Sequence, residues 1–353
     1  MPTTIVRRET RPVFLGGVQI GGAAPVVVQS MTCTDTRDIK ATLTQISALA
    51  AAGCEVVRVA VPDMEAAAGL AEIRKNSLIP LIADIHFDYR LALEAILQGV
   101  PGVRINPGNV GKRGIKAIVN LAKERGTVIR IGINSGSLEK DILTRHGGPT
   151  AAALVESALR NVALIEDMDY RLLKLSLKSS DVVTMIEAYR GIAAKCSYPL
   201  HLGVTEAGTL VNAAIKSSLG IGLLLHEGIG DTIRVSVTGD PVSEMRVAYG
   251  ILRALGIRKI GPEIIACPTC GRCEIDVLKL AEEVERRLDG SKNYLKIALM
   301  GCVVNGPGEA AEADIGIAGG RGFGFLFKKG KKIKKIREEE FVEVLLEEIN
   351  NIS

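Results

Sequence analysis

The residues best suited to chemistry lie between Ala266 and Glu309. This stretch opens Cys267-Pro268-Thr269-Cys270-Gly271-Arg272-Cys273 and closes Met300-Gly301-Cys302-Val303-Val304-Asn305-Gly306-Pro307-Gly308-Glu309, so it holds four of the seven cysteines. The spacing C-x-x-C-x-x-C lets one short run of backbone present several thiolates to one point. The next cysteine, Cys302, comes 32 residues after Cys270 on a Gly/Pro-rich turn. Thiolates brought from two loops to one point build zinc and iron–sulfur sites. Spacing alone admits either; the compact run leans towards a 4Fe–4S cluster. An odd, clustered cysteine count argues against a disulfide scaffold and for a reducing cytosol.

A second constellation is cationic. Val57 and Val59 flank Arg58, Val103 and Ile105 flank Arg104, Ile129 and Ile131 flank Arg130, and Ile233 and Val235 flank Arg234. In a parallel barrel alternate residues face the helices and the interior. The apolar neighbours belong against helices, so the four arginines point inward. Leu173, Leu175 and Leu177 likewise send Lys174, Ser176 and Lys178 inward. Acids on that face are few, Asp84 being the clearest, with Glu206 just beyond a strand end. Buried cations without partners are costly, so the excess calls for an anionic ligand, and guanidinium forks match phosphate oxygens. The same rim carries His86, Asn109, Asn134, His201 and Thr205. Glu206 is a candidate acid, although a carboxylate at a helix start also suits the macrodipole.

These residues need a scaffold that brings strand ends together. Eight short β-rich runs, from Val26–Val28 to Thr232–Val237, alternate with amphipathic Ala/Leu-rich segments over about 230 residues, which predicts a (β/α)8 TIM barrel. A doubly wound sheet is the alternative, but no Gly-rich phosphate loop follows Val28. A hairpin at Arg11–Ala24 precedes the barrel as a plug or lid. Ile260-Gly261-Pro262 divides a barrel domain, 1–260, from a small α/β domain, 261–353, of sulfite-reductase/ferredoxin-like type whose loops hold the metal. No apolar run reaches the ~18 residues of a membrane span, and the polar, basic start has no secretory core, so a cytoplasmic protein is expected. A net charge of +4 is too small to imply nucleic acid, and 3% aromatic residues with no Trp argue against base stacking. Lys328–Arg337, with six lysines and one arginine, is either a solvated hairpin or a docking patch for an acidic protein.

The two cysteine motifs, together with Gln29-Ser30-Met31-Thr32, Ala83-Asp84-Ile85-His86-Phe87, Arg104-Ile105-Asn106-Pro107-Gly108-Asn109 and Gly230-Asp231-Thr232-Ile233-Arg234, resemble the 4-hydroxy-3-methylbut-2-enyl-diphosphate synthase family over essentially the whole chain. The resemblance implies an oxidoreductase of the methylerythritol phosphate route to isoprenoids. It opens 2-C-methyl-D-erythritol 2,4-cyclodiphosphate reductively to 4-hydroxy-3-methylbut-2-enyl diphosphate. It implies a 4Fe–4S cluster on Cys267, Cys270, Cys302 and Glu309, and substrate contacts from Arg58, Arg104, Arg130, Lys178, Arg234 and Asn134, with Asp84, His86, Asn109 and His201 as further candidates. Glu206 then serves as proton donor. It also implies a homodimer, with the cluster domain of one subunit capping the barrel of the other, and reduced flavodoxin or ferredoxin as electron donor. One departure stands out: Cys273 occupies a position usually held by threonine in that family, and spacing alone would nominate it as a ligand in place of Glu309. A barrel enzyme or binding protein for another phosphorylated ligand, with structural zinc at the cysteines, is the alternative.

Overall fold

A computed structural model describes residues 5–302, 308 and 311–352. The chain divides into two compact units, 5–258 and 259–352 within those residues.

The first unit begins with a two-stranded antiparallel hairpin, β1 (Val13–Leu15) and β2 (Val18–Ile20). Eight parallel strands follow: β3 (Val27–Met31), β4 (Val56–Ala60), β5 (Leu81–Ile85), β6 (Gly102–Ile105), β7 (Val128–Asn134), β8 (Leu173–Lys178), β9 (His201–Leu202) and β10 (Thr232–Ile233). Each pairs with its neighbours in chain order, β10 pairs back to β3, and a single parallel bridge, Leu175 to Leu200, closes the seam between β8 and β9. The expected TIM barrel is therefore present. The seventh and eighth strands are much shorter than the predicted Leu200–Val204 and Thr232–Val237, because beyond Leu202 and Ile233 the chain turns to open loops at the rim.

Each strand is followed by a helix: α1 (Ile39–Ala51), α2 (Met64–Asn76), α3 (Tyr89–Leu97), α4 (Pro107–Arg125), then α5 (Lys140–His146) and α6 (Ala151–Glu166) together after β7, α7 (Val182–Ala193), α8 (Leu210–His226) and α9 (Ser243–Ala254). Six of these helices start at a capping residue. Asp38, Asp63, Asp88, Asn106, Thr150 and Asp181 each accept a hydrogen bond from a backbone N–H in the first turn of the helix that follows, which satisfies donors a helix leaves open. These caps set where six of the helices start.

The hairpin plugs the base of the barrel. Val13, Leu15 and Ile20 pack with Val27, Val56, Ile82 and Val128, the first inward residues of four strands. A Cβ at Gly102 would stand 2.6 Å from Leu15, so the absent side chain on β6 is what lets the plug seat. Asp231 pins the approaching chain, accepting from Arg7 Nη2 at 3.1 Å and Thr10 Oγ1 at 2.8 Å. With one end filled by apolar side chains, the other, at the C-terminal ends of the strands, is left for chemistry.

The second unit is a five-stranded sheet in chain order: β11 (Glu263–Ala266), β12 (Lys296–Met300), β13 (Ile315–Gly320), β14 (Phe323–Lys328) and β15 (Lys331–Arg337). β12 pairs in parallel with β11 and with β13, and β14 pairs antiparallel with β13 and with β15. Helices α10 (Val277–Arg287) and α11 (Phe341–Asn350) cover one face over a core that includes Val284, Leu299, Ile317, Leu326, Phe341 and Leu345. Glycines at 319 and 324 leave room on that face for Ile275 and Phe341. No helix of the described residues is long and apolar enough to cross a membrane.

Candidate active site

Strand register decides which inward residues become neighbours. Asp84 lies opposite Arg104, Arg104 opposite Arg130, and Arg130 opposite Lys174, so four adjacent strands put one acid and three cations in one row. One row higher come Gly132 and Ser176, and above them Asn134 and Lys178. Arg58, Arg104, Arg130, Lys174 and Lys178 are all buried, and Arg234 is half-buried.

These six cations touch only two acids among the described residues. Asp84 accepts from Arg104 Nη1 at 3.3 Å and lies 3.7 Å from Arg58 Nε. Its own burial opposes ionisation, but Arg58, Arg104 and Arg130 together with His86 hold its carboxyl far below the usual range. The second acid is Glu244, in the first turn of α9, fully buried and paired with Arg234 at 3.0 Å. It also accepts from Ser30 Oγ at 2.7 Å. Sequence reasoning missed Glu244. The Asp240-Pro241 turn ahead of it marks a helix start, but nothing local shows that the helix end folds back onto a strand.

The remaining cations are left wanting. Arg130 Nε and Nη1, Arg104 Nε and Lys174 Nζ are buried with no hydrogen-bond partner. Burial pushes Arg130, Lys174 and Lys178 well below their ordinary pKa values, with neighbouring guanidiniums adding repulsion. Arg58 is pushed down to about 10, chiefly by burial and partly offset by Asp84. Buried donors in native proteins nearly always have partners, so this set reads as one half of an interaction whose other half is an anion. Glycines open the space. A Cβ at Gly132 would overlap Arg104 Nε, and one at Gly203 would stand 2.9 Å from Lys178 Nζ. Gly132→Ala is expected to weaken calorimetric binding of inorganic diphosphate about 10- to 100-fold, the loss of roughly one charge-assisted hydrogen bond; unchanged affinity would detach Arg104 from the anion.

The other predicted residues fall at different depths. His86 is largely exposed at the rim, its Nε2 3.2 Å from Arg104 Nη1. Asn134, with its amide oriented to satisfy both neighbours, accepts from Arg104 Nη2 at 3.0 Å. Asn109 is half-buried in the first turn of α4; the cap there is Asn106, which also donates to Ser137 Oγ at 2.6 Å. His201 is not at the rim. It is fully buried inside, with Nδ1 2.7 Å from Thr232 Oγ1 and Nε2 unpartnered, and burial holds it well below its ordinary pKa. Gln29, which sequence reading left within a motif, is also fully buried with both amide atoms unpartnered.

Glu206 is exposed on the loop after β9, in the left-handed region at φ 54°. A non-glycine residue there carries strain of order 1–2 kcal/mol, and strain kept at a site rim points to function.

In the second unit Cys267 directly follows β11 and Cys302 lies two residues beyond β12, the adjoining parallel strand. The Gly301 N–H donates to Cys267 Sγ at 3.1 Å. A Cβ on Gly301 would overlap Cys273 Sγ and stand 3.2 Å from Cys267 Sγ, so these two thiols crowd one glycine. Cys270 is exposed, and Thr269 beside it is left-handed at φ 51°. Glu309 lies outside the described residues. No group of three or more His, Cys, Asp or Glu side chains is assembled for a metal among the described residues. The donor chemistry, thiols from two neighbouring strand ends with an N–H on one sulfur, nevertheless fits an iron–sulfur group.

Known proteins resemble this chain over nearly its whole length. The GcpE TIM-barrel domain matches residues 10–249 and the GcpE C-terminal domain residues 263–351. A Lawsonia intracellularis protein named 4-hydroxy-3-methylbut-2-en-1-yl diphosphate synthase (flavodoxin) is 56% identical over 98% of this chain and 97% of its own length. One of the same name from Clostridium acetobutylicum is 58% identical over 98% of this chain and 99% of its own. Among solved structures, a Stenotrophomonas maltophilia dihydropteroate synthase superposes with a TM-score of 0.52 at 11% identity, over 70% of this chain and 98% of its own, a likeness of barrel fold alone. The chain belongs to the GcpE family of 4-hydroxy-3-methylbut-2-en-1-yl diphosphate synthases.

Proposed function

We propose that the chain reduces 2-C-methyl-D-erythritol 2,4-cyclodiphosphate to 4-hydroxy-3-methylbut-2-enyl diphosphate. Counted in neutral forms, the reaction consumes two electrons and two protons. A ring C–O bond to the diphosphate breaks, a hydroxyl leaves as water, and a carbon–carbon double bond forms. The observation that carries this reading is the row of buried cations with unpartnered donors, Arg104, Arg130 and Lys174, at a barrel mouth. A doubly phosphorylated ligand supplies the missing acceptors.

In this reading Arg58, Arg104, Arg130, Lys178 and Arg234 clamp the diphosphate oxygens. Asp84 aims Arg58 and Arg104, and Glu244 aims Arg234. Asn134 and His86, both on Arg104, complete that edge. Holding the charged end orients the carbon skeleton toward the rim, where Glu206 gives a proton to the departing hydroxyl. Cys267, Cys270, Cys302 and Glu309 would hold a 4Fe–4S cluster. When bound it supplies single electrons to the ring carbons. The reading further includes a homodimer that brings the cluster unit of one subunit to the barrel of the other, and an acidic flavodoxin as donor.

Anaerobic purification with iron and sulfide analysis, followed by a reduced-dye assay on the cyclic diphosphate, tests it. About four irons per chain with turnover is the expected result. One zinc, or full iron without turnover, would return the function to another phosphorylated ligand. Cys273 Sγ donates to the Ile275 carbonyl at 3.1 Å, a bond that a threonine hydroxyl can replace. Cys273→Thr is therefore expected to keep about four irons per chain and undiminished turnover; iron loss would make Cys273 a ligand in place of Glu309.

A further inference from the structure

The two faces of the five-stranded sheet differ. One lies beneath α10 and α11. On the other, Cys267, Ala298, Met300, Ala318, Phe325 and Phe327 form a separate cluster. Register draws a line across that face. Met300 is opposite Ala318, Ala318 opposite Phe325, and Phe325 opposite Lys335. Cys267 continues the ladder at the same level, its N–H donating to the Leu299 carbonyl at 3.1 Å. Three strand spacings, about 14 Å, separate the Cys267 position from Phe325.

The pleat of β15 divides its lysines between the two faces. Lys334, with Lys328 of β14, turns to the helix side, where both meet Glu348 at 3.7 and 3.8 Å. Lys332 and Lys335 turn to the cysteine side. Lys332 Nζ lies 3.2 Å from the ring centroid of Phe325, and Lys335 Nζ 3.9 Å from that of Phe323. Both lysines are exposed, both rings are half-buried, and among the described residues neither lysine has a carboxylate within ion-pair distance. Cations held over aromatic rings are cations kept in place.

We propose that this strip, Phe323 and Phe325 beneath Lys332 and Lys335, is the docking surface for an acidic one-electron carrier protein. The inference rests on the reductive reading above and locates its electron entry. Unneutralised cations steer an acidic partner, the rings give the contact an apolar centre, and the register row leads from that contact to Cys267. Each docked carrier is oxidised by one electron, so two encounters supply the two electrons of one turnover. The helix-side lysines, already paired with Glu348, take no part.

The test uses full-length, cluster-loaded protein, driven in parallel by reduced flavodoxin and by a small reduced dye. Lys332→Glu combined with Lys335→Glu is compared with Lys279→Glu combined with Lys292→Glu, two exposed lysines elsewhere on the same unit. The first pair is expected to raise KM for flavodoxin at least about tenfold and flatten its salt dependence, with dye-driven turnover unchanged. The second pair should leave KM unmoved. Two results would overturn the assignment: an unchanged KM in the first pair with dye activity intact, or an equal rise in both pairs. Absence of dye-driven turnover in the unmodified chain would overturn the reductive reading and this surface with it.

Discussion

Arg130→Met is expected to make the ligand-free barrel more stable and the enzyme nearly inactive. Arg130 is fully buried in the register row between Arg104 and Lys174, and two of its guanidinium nitrogens have no partner. Its burial and the nearby Arg58 and Arg104 oppose its charge, and Asp84 and Tyr189 offset them only in part. Replacing a buried, poorly compensated ionic group by an apolar side chain of similar length typically gains about 1–4 kcal/mol, which raises Tm by several degrees in a domain of this size. The same change removes a cation from the anion clamp. Losing one partner of a buried charge pair costs about 3–5 kcal/mol, or about 10²–10³-fold or more in kcat/KM. Thermal melts with and without inorganic diphosphate read both effects. The unmodified chain should gain Tm with the anion and the variant should gain little. A lower Tm in the variant with undiminished kcat/KM would make Arg130 a structural residue and remove the central member of the clamp.

The second large effect is at Glu206. Glu206→Gln keeps the shape of the side chain and its left-handed backbone but cannot release a proton. General acid catalysis typically contributes 10²–10⁴-fold, so kcat should fall by about that factor with KM little changed. The side chain is exposed, so Tm should not move. Glu206→Gly separates chemistry from strain. It relaxes the φ of 54°, stabilising the chain by about 1 kcal/mol, yet should be as inactive as the glutamine variant. A glutamine variant retaining more than about a tenth of kcat would rule out Glu206 as the proton donor.

Which way the interior cations point was legible from the chain, because side-chain alternation along a strand is local. Two β-branched or leucine neighbours on helix-facing positions send Arg58, Arg104, Arg130 and Lys174 into the barrel, the leucine alternation of 173–177 sends Lys178 the same way, and all five are buried there. The helix caps obey equally local rules, since a capping aspartate bonds a backbone N–H only two or three residues away. What a lysine would meet was not legible. Pairing register fixes that Asp84, Arg104, Arg130 and Lys174 share one level, and register depends on how eight strands close. Glu244 reaches Arg234 because α9 packs back on the strand ends, and Gly132 and Gly203 matter because of side chains on other strands. The hairpin Lys328–Arg337 reads along the chain as one basic block. Only the sheet, which sets one face against helices and the other beside Cys267, decides that two of its lysines pair with Glu348 while two stand over phenylalanine rings.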